Sequence, residues 1–433
     1  MASSTAAQLI AGLIFFLTFA GIVMDWAHRT IVAWVGATVM VAAGLLMGFY
    51  SQGEALASID FNTLGLLLSM MMLVSMLGKT GVFEYLALVA AQRSGGSPWR
   101  LLLLLGTLTA VLSMFLDNVT TIVLIAPVTV LLAEKLAINP VPLLMGEVLL
   151  SNIGGTATLV GDPPNILIGS AAGFSFNDFL LVLLPIAIIA YYPTVLAIRW
   201  AFGDLLHRIS DRLEALNALR PADTITHPGE LKKILVALGV VISLFFLHDL
   251  LHLKPAYVAF AGVAIALAWV RPHPEDVLKD VEWSVLLFFA CLFIAVGGLE
   301  AAGVMRSAAE VIVAFAEANL LLTAVILIWV AAILSAIVDN IPFAVAMVPV
   351  IKGLESKGLS VEPLWWALAL GVGFGGNGSP IGATANVVAI TLSERAGYPI
   401  TFGMWFRSGS IATVVSCAVG TLVFLLIFGV IKH

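Results

Sequence analysis

Charged residues are scarce in this sequence. Only 11% of its 433 residues are Asp, Glu, Lys or Arg, and 61% are hydrophobic, whereas about 25% charged residues are typical of soluble domains. Many apolar runs also reach the roughly 18–20 residues that cross a bilayer. These features exclude an ordinary soluble protein and predict an all-α polytopic membrane protein, with the lipid bilayer as a partner. The net charge of −6 gives no indication of a nucleic-acid partner.

Cysteine is almost absent, and so are catalytic motifs. Cys291 and Cys417 both lie in apolar runs, so we expect neither a disulfide framework nor a thiolate metal site. The segment HDLLH, His248 to His252, has Asp where the zinc motif HExxH needs Glu, so we expect no zinc site there. No Ser-His-Asp arrangement and no phosphate loop is apparent. The sequence therefore predicts a protein that is not an enzyme and needs no cofactor.

One apolar run is too long for a single span. As one helix, the run 99–137 would be about 58 Å long, nearly twice the hydrocarbon core of about 30 Å. It must therefore fold back, and the polar pair Asp117-Asn118 near its middle predicts the position of the bend. The next run, 142–172, is interrupted by SNIGGTATLVGDPPN, which predicts a broken helix.

The second half of the sequence has the same pattern. Asp339-Asn340 lies within the run 320–351, and GFGGNGSPIGATAN interrupts the run 363–393. Each half is predicted to hold three spans, a re-entrant hairpin, a broken helix and a closing helix. A polar stretch separates the halves and is interpreted as a linker with an interfacial helix. The predicted organisation is a first membrane repeat (1–202), a linker (203–230) and a second membrane repeat (231–433).

The distribution of basic residues predicts the orientation. A hairpin returns to its own side, so the two repeats should be inverted relative to each other, as in many secondary transporters. With that arrangement 15 of the 20 Lys and Arg residues fall on the side of the linker. The positive-inside rule then places the linker in the cytoplasm and both termini outside a cytoplasmic (inner) membrane. The five on the other side are Lys254, Arg306, Lys352, Lys357 and Lys432.

The two interruptions are candidate binding segments. Broken helices expose N-terminal amides, which attract anions, and C-terminal carbonyls, which attract cations. Asn, Ser and Thr add uncharged donors and acceptors, and Gly lets a ligand approach the backbone. The alternative is helix packing through small residues. The candidates are Gly154, Gly155, Thr156, Thr158 and Asn165 in the first half, and Asn377, Gly378, Ser379, Thr384 and Asn386 in the second.

The intramembrane aspartates have two interpretations. Asp117 and Asp339 are costly in lipid and therefore candidates for ion binding or proton coupling. An Asp in front of a helix is also a common N-cap, and both roles can coexist. Asp162 has the same ambiguity, because the prolines that follow it already explain a helix start.

Longer segments resemble a known family. SMFLDNVTTIVLIAPVTVLLAEKL and SNIGGTATLVGDPPNILIG resemble the ion transporter superfamily, within it the ArsB/NhaD group of arsenical permeases, melanosomal P protein and NhaD-type sodium/proton antiporters. The resemblance covers nearly the whole chain and implies two re-entrant hairpins, a transport domain, a scaffold domain and a homodimer. It implies a site for substrate and coupling ion between the tips of the hairpins and the interruptions of the broken helices. That site would contain Asp117, Asn118, Thr120, Gly155, Thr156, Asp162, Asn165, Asp339, Asn340, Asn377, Ser379, Thr384 and Asn386.

The sequence and the resemblance together predict a secondary active transporter. Proton-coupled efflux of arsenite or antimonite is the leading hypothesis, because amides, hydroxyls and backbone groups suit a small neutral oxyacid. Sodium/proton exchange is the alternative, although Pro342 stands where the first half has Thr120, against two equivalent sodium sites. Transport of an organic anion or amino acid ranks lower, because we expect no basic residue in the site. A soluble ATPase subunit is left open as a further partner.

Overall fold

The computed structural model describes residues 5–24, 26–207 and 218–431, and these residues form helices and connections without a strand. The predicted fold class is therefore confirmed as all-α. The interfacial helix expected in the linker falls largely on 208–217, outside the described residues. Within the described part of the linker, α10 ends and a 3-10 turn, Pro221–Thr224, follows.

The described residues of the first half form ten helices. They are α1 (Thr5–Val23), α2 (Arg29–Met47), α3 (Gln52–Ala57), α4 (Phe61–Gly78), α5 (Val82–Ser94), α6 (Pro98–Ser113), α7 (Asn118–Leu136), α8 (Val141–Thr156), α9 (Pro163–Ala172) and α10 (Phe176–Leu206).

The second half contains eleven helices in the described residues. They are α11 (Pro228–Leu247), α12 (Pro255–Val270), α13 (Pro274–Lys279), α14 (Trp283–Ala301), α15 (Val304–Ala318), α16 (Leu320–Val338), α17 (Asn340–Glu355), α18 (Glu362–Gly375), α19 (Thr384–Arg395), α20 (Phe402–Trp405) and α21 (Ile411–Leu426). A 3-10 turn, Gly376–Gly378, follows α18, and a π-helical turn, Phe406–Ser410, joins α20 to α21.

Both overlong runs fold back where the Asp-Asn pairs stand. The first tip, residues 114–117, separates α6 from α7, and the second tip, Asp339, separates α16 from α17. Both broken helices are present as well. The first break, 157–162, lies between α8 and α9, and the second break, 376–383, lies between α18 and α19.

Length and composition identify membrane spans. Among the described residues, eight helices are long and apolar enough to cross a membrane, and α6 and α12 are shorter apolar helices. Large apolar side chains cover much of the outer surface, including Leu46, Leu181 and Leu250, each more than 70% exposed. A surface of this kind is suited to lipid and not to water.

The helices of the two halves make equivalent contacts, both within each half and between the halves. Helix α6 packs along α8, and α16 packs along α18. The second arm of each hairpin lies against the restarted helix of the other half, so α7 contacts α19 and α17 contacts α9. Likewise α2 contacts α14, and α4 contacts α12. The site predicted from tips and breaks therefore lies where the halves meet. The repeat boundaries and the inverted orientation of the repeats stay predictions.

Small residues allow the close helix packing. A Cβ added to Gly154 would collide with the backbone of Ala110 on α6, and one added to Gly375 would collide with the backbone of Ala332 on α16. Packing through small residues, the alternative for these segments, therefore accounts for Gly154.

Candidate functional site

Asp117 closes the first tip locally. Its carboxylate accepts hydrogen bonds from the Thr120 amide at 2.9 Å and from the Thr120 hydroxyl at 2.5 Å, which caps α7. This accounts for both Asp117 and Thr120 as helix-start residues. The aspartate is 5% exposed, and among the described residues its side chain makes hydrogen bonds to Thr120 and to no residue of the second half.

Asp339 closes the second tip in a different way. It caps α17 more weakly, through the Ile341 amide at 3.4 Å, and its φ of +86° lies in the region that favours glycine. A non-glycine residue in that conformation stores strain, which is typical of functional sites. Its other carboxylate oxygen accepts a hydrogen bond from Thr384 Oγ1 at 3.2 Å.

Arg29 completes the second tip, a role that no sequence pattern indicated. Its Nη1 donates to Asp339 Oδ2 at 2.8 Å and to Thr384 Oγ1 at 2.6 Å. The guanidinium also lies over the Phe288 ring, with 5.3 Å from Cζ to the ring centroid. The expectation that the site lacks a basic residue is therefore wrong. Its physical reason is the packing of α2 against α14, which places the first residue of α2 beside a tip 310 residues away.

Asp162 connects the two tips. Its carboxylate accepts from Asn340 Nδ2 at 3.1 and 3.2 Å and from Asn118 Nδ2 at 3.5 Å. The residue is 1% exposed, and its side chain makes no capping bond to α9. Of its two interpretations, capping is therefore excluded by the geometry. The prolines at the start of α9 set the helix start instead.

Asn152 lies at the centre of an amide network that the sequence reasoning did not assign to the site. It accepts from Asn118 Nδ2 at 3.0 Å and donates to Asn377 Oδ1 at 2.8 Å and to Asn386 Oδ1 at 3.0 Å. The signal that points to it is a lone asparagine near the end of an otherwise apolar span. These four buried amides join the first tip to both broken helices.

Asn165 and Asn386 hold the breaks together. Asn165 Nδ2 donates to three carbonyls of the first broken segment, those of Gly155, Thr156 and Thr158, at 3.2, 3.1 and 2.9 Å. Asn386 Nδ2 donates to the Gly376 and Ser379 carbonyls at 2.7 and 2.9 Å. Carbonyls that were expected to attract a cation are therefore already bonded by asparagine.

The remaining predicted residues have packing or local roles. Gly155 packs against Gly161, and Gly378 packs against Ala336, so neither glycine leaves room for a ligand at its Cα. The hydroxyls of three other candidates, Thr156, Thr158 and Ser379, donate to the backbone carbonyls of Asn152, Met114 and Ala336. Among the candidate hydroxyls, all of them on described residues, only that of Thr384 bonds a charged group of the other half.

Negative charge is concentrated between the tips. The charges of Asp117 and Asp339 both act on Asp162, and Glu282, at the start of α14, interacts with Asp117 and Arg29. Glu282 was missed because it precedes an apolar span like an ordinary interfacial residue. No group of three or more His, Cys, Asp or Glu is placed to hold a metal ion in the described part of the chain.

The two breaks differ in exposure. Every residue of the first break is buried, whereas Gly378, Ser379 and Pro380 are half-buried and Ile381 is 51% exposed. Thr384 and Arg29 are also partly exposed. The second break is therefore the more exposed of the two.

His248 of the HDLLH segment is engaged in backbone contacts. Its Nε2 accepts from the Phe176 amide at 3.1 Å, and its Nδ1 lies 3.0 Å from the Leu253 carbonyl. Both ring nitrogens therefore connect α10 to the α11–α12 connection, which is a packing role.

A family model and several relatives match this chain. The model, described as a citrate transporter, matches residues 19–371. An uncharacterized transporter of Mycobacterium tuberculosis is 40% identical over 432 residues, which are 98% of this chain and 100% of the relative. The 46 kDa membrane protein of Mycobacterium leprae is 42% identical over 417 residues, 95% of this chain and 96% of the relative.

More distant similarities agree with these. The P protein of Homo sapiens is 34% identical over 496 residues, 96% of this chain and 59% of the P protein. The predicted similarity to the P protein is therefore confirmed, while that to arsenical permeases and NhaD-type antiporters stays a prediction. The crystal structure of the Alcanivorax borkumensis YdaH transporter matches with a TM-score of 0.55 at 16% identity, over 98% of this chain and 99% of that one. At this identity the match shows the fold alone.

Proposed function

The chain belongs to the citrate transporter family, a family of membrane transporters, and from this premise we propose cation-coupled secondary transport of a small carboxylate anion. One observation carries the proposal: the Arg29 guanidinium lies at the more exposed break, where Asp339 and Thr384 are its partners. A planar guanidinium binds carboxylates in a bidentate manner. The carboxylate of Asp339 thus occupies the position that a substrate carboxylate would take.

The proposed mechanism is an exchange of partners at Arg29. A substrate carboxylate replaces Asp339 on the guanidinium, and Thr384 Oγ1 turns from Asp339 to the substrate. The first turn of α19 adds backbone amides that the helix itself leaves unpaired. Protonation of Asp339, or its release toward a cation, frees Arg29 and so couples anion binding to cation binding.

The first half supplies the cation side of this proposal. Asp162 is buried between the tips and bonded only by amides, with Asp117 near enough for their charges to interact. Pro163 and Pro164 remove the first two amides of α9, so this helix start offers an anion much less than α19 does. A proton or a sodium ion is the ligand that this negative, sealed region favours.

Two other candidate functions would use the same residues. The buried amides of Asn118, Asn152, Asn377 and Asn386 favour a neutral oxyacid, which keeps arsenite or antimonite efflux as a competing proposal. The acidic cluster favours sodium/proton exchange without an anion. Arg29 distinguishes them, because only a carboxylate anion needs its charge.

Proteoliposomes containing the purified protein test the three candidates together. We expect a proton or sodium gradient to drive uptake of labelled citrate or succinate, and Arg29→Gln to reduce it strongly. Arg395→Gln, an exposed basic residue at the other end of α19, is the control and should leave uptake unchanged. Labelled arsenite flux without carboxylate flux would replace this proposal with the first alternative. Sodium movement that dissipates a pH gradient without any anion would replace it with the second.

We also infer the placement of the chain in the cell. The 15 basic residues on the linker side support a cytoplasmic linker, termini outside and location in the inner membrane. A single cysteine placed at Ala222, in a chain whose two native cysteines are replaced by Ala, should react with a permeant reagent and resist an impermeant one in intact cells. Equal reaction with both reagents would reverse the orientation. A second copy of the chain stays the proposed partner, to be tested by crosslinking in membranes.

A further inference from the structure

Glu147 is a buried acid that the mechanism above does not use. It lies in the middle of α8 and is fully buried. Its Oε1 accepts from Thr129 Oγ1 at 2.5 Å, whereas its Oε2 has no hydrogen-bond partner among the described residues. One neutral hydroxyl is little compensation for a buried charge, so the neutral acid is the form that this environment accommodates.

Two serine hydroxyls of the described residues are also buried without a hydrogen-bond partner. Ser151 Oγ and Ser113 Oγ are fully buried and have no partner in the described structure. Four buried side-chain atoms of the described residues are unpartnered in this way, and three of them belong to Glu147, Ser151 and Ser113. Because buried polar atoms are nearly always satisfied by protein or water, three orphans in one region indicate ordered water between them.

These atoms form a row that leads to the candidate site. Residues 147, 151 and 155 lie one turn apart on one face of α8. Ser113 Oγ lies beside Gly155, 3.1 Å from where a Cβ would stand. The row covers about 12 Å along the helix. Ser113 is the last residue of α6 before the first tip, so the row ends beside the segment that holds Asp117.

We propose that Glu147 is a proton relay between the linker side and the first tip, through water held by Ser151 and Ser113. Glu147 gives the proton on Oε2 to the adjacent water, a proton passes along the row to an aspartate of the acidic cluster, and a proton from the linker side restores Glu147. The relay rests on the proposed cation coupling and identifies the proton as the cation. It is a positioning and transfer role, separate from substrate binding.

The relay exists in one half only. The packing of Gly154 on Ala110 and of Gly375 on Ala332 makes these two glycines equivalent, which places Leu368 at the position equivalent to Glu147. Helices α6, α7, α10, α18 and α19 pack against α8. Among the described residues of these helices, burial and the Thr129 hydroxyl are the influences that act on Glu147, with no charged neighbour. A proton that reaches Glu147 is therefore passed on and is not held by an ion pair.

The test separates proton transfer from substrate binding. Proteoliposomes would be assayed for proton-gradient-driven uptake of labelled citrate or succinate, and for exchange of the same substrate at equal pH. We expect Glu147→Gln to reduce driven uptake by about a hundredfold, the scale of a lost acid–base group, while exchange stays close to wild type. Glu147→Asp should restore part of the uptake. Glu84→Gln is the control, since Glu84 also has one buried unpartnered carboxylate oxygen but lies on α5.

Other outcomes are decisive as well. Equal loss of uptake and exchange in a folded Glu147→Gln protein, or loss of neither, would overturn the relay. If Glu147→Gln does not fold, Ser151→Ala and Ser113→Ala replace it, and both should slow driven uptake without slowing exchange. If the wild type exchanges no carboxylate, the proposed function fails instead. Infrared difference spectra across a pH jump then decide the relay, because Glu147→Gln should remove a protonated carboxyl band that Glu84→Gln leaves in place.

Discussion

The two tips of this transporter begin with the same Asp-Asn pair and end with different chemistry. At the first tip Asp117 bonds its own helix, and the break beyond it is sealed and negative. At the second tip Asp339 is strained, holds Arg29 and lies beside a break that is partly exposed. The two halves thus share an architecture, whereas different residues at a few positions give the two tips different chemistry. We propose that these differences assign a cation to the first half and an anion to the second.

Among the substitutions that test the difference between the two tips, removal of Arg29 should have the largest effect on transport. Arg29→Gln takes away the positive charge that bonds Asp339 at the second tip. It should raise the KM for citrate or succinate about tenfold to a hundredfold, as expected for a lost charge-assisted bond. The concentration dependence of uptake measures it. Arg29→Lys should recover part of the affinity, because it keeps the charge without the planar fork. An unchanged KM would show that the anion does not bind at the second tip.

The second prediction concerns Asp162. Asp162→Asn keeps an oxygen that Asn118 and Asn340 can contact but removes the charge, so uptake should lose its response to a proton or sodium gradient. We expect a loss of about tenfold, the scale of a coupling free energy of about 1–3 kcal/mol. Asp249→Asn changes an exposed aspartate and is the matched control. A variant that still follows the gradient would show that the cation binds elsewhere.

The third prediction tests the network that joins the halves. Asn152→Ala leaves amide groups of Asn118, Asn377 and Asn386 without their partner, so it should lower the free energy of unfolding by about 1–3 kcal/mol. Thermal unfolding in detergent measures the change. Asn177→Ala removes a partly exposed asparagine that donates to Phe246 O and should cost less than about 0.5 kcal/mol. Equal stability of the two variants would contradict a structural role for the network.

The smallest expected effect concerns the difference in backbone strain between the two tips. Asp339 has φ +86° and Asp117 has φ −62°. Glycine relieves strain only at positive φ, so Asp339→Gly should be more stable than Asp339→Ala by about 1 kcal/mol. At the first tip the order should reverse, with Asp117→Ala the more stable. The same order at both tips would mean that strain does not distinguish them.

Local features of the sequence predicted the architecture. Run length forced the bends, the Asp-Asn pairs marked them, and the Gly- and Asn-rich segments marked the breaks, because each of these is a property of adjacent residues. Asp117 and Asp339 were expected to be caps or ion sites, and the structure shows the caps directly. The spans and tips therefore followed from the sequence with little need of tertiary information.

The chemistry of the site depended on contacts between distant segments. Arg29 is one basic residue at the start of a span, a position that usually marks the membrane interface, and only the packing of α2 on α14 brings it to Asp339. Likewise, the breaks look rich in free carbonyls until Asn165 and Asn386 are seen to bond them. Polar composition thus identified the region and could not say which groups were still free to bind.

The division between the tips is tested most directly by one transport measurement on three proteins. Uptake of labelled citrate or succinate would be recorded for wild type, Arg29→Gln and Asp162→Asn while the concentrations of anion and of driving cation are varied separately. We expect Arg29→Gln to change the apparent affinity for the anion much more than that for the driving cation, and Asp162→Asn to do the reverse. If either substitution changed both dependences equally, the two halves would share one site and the account would be wrong.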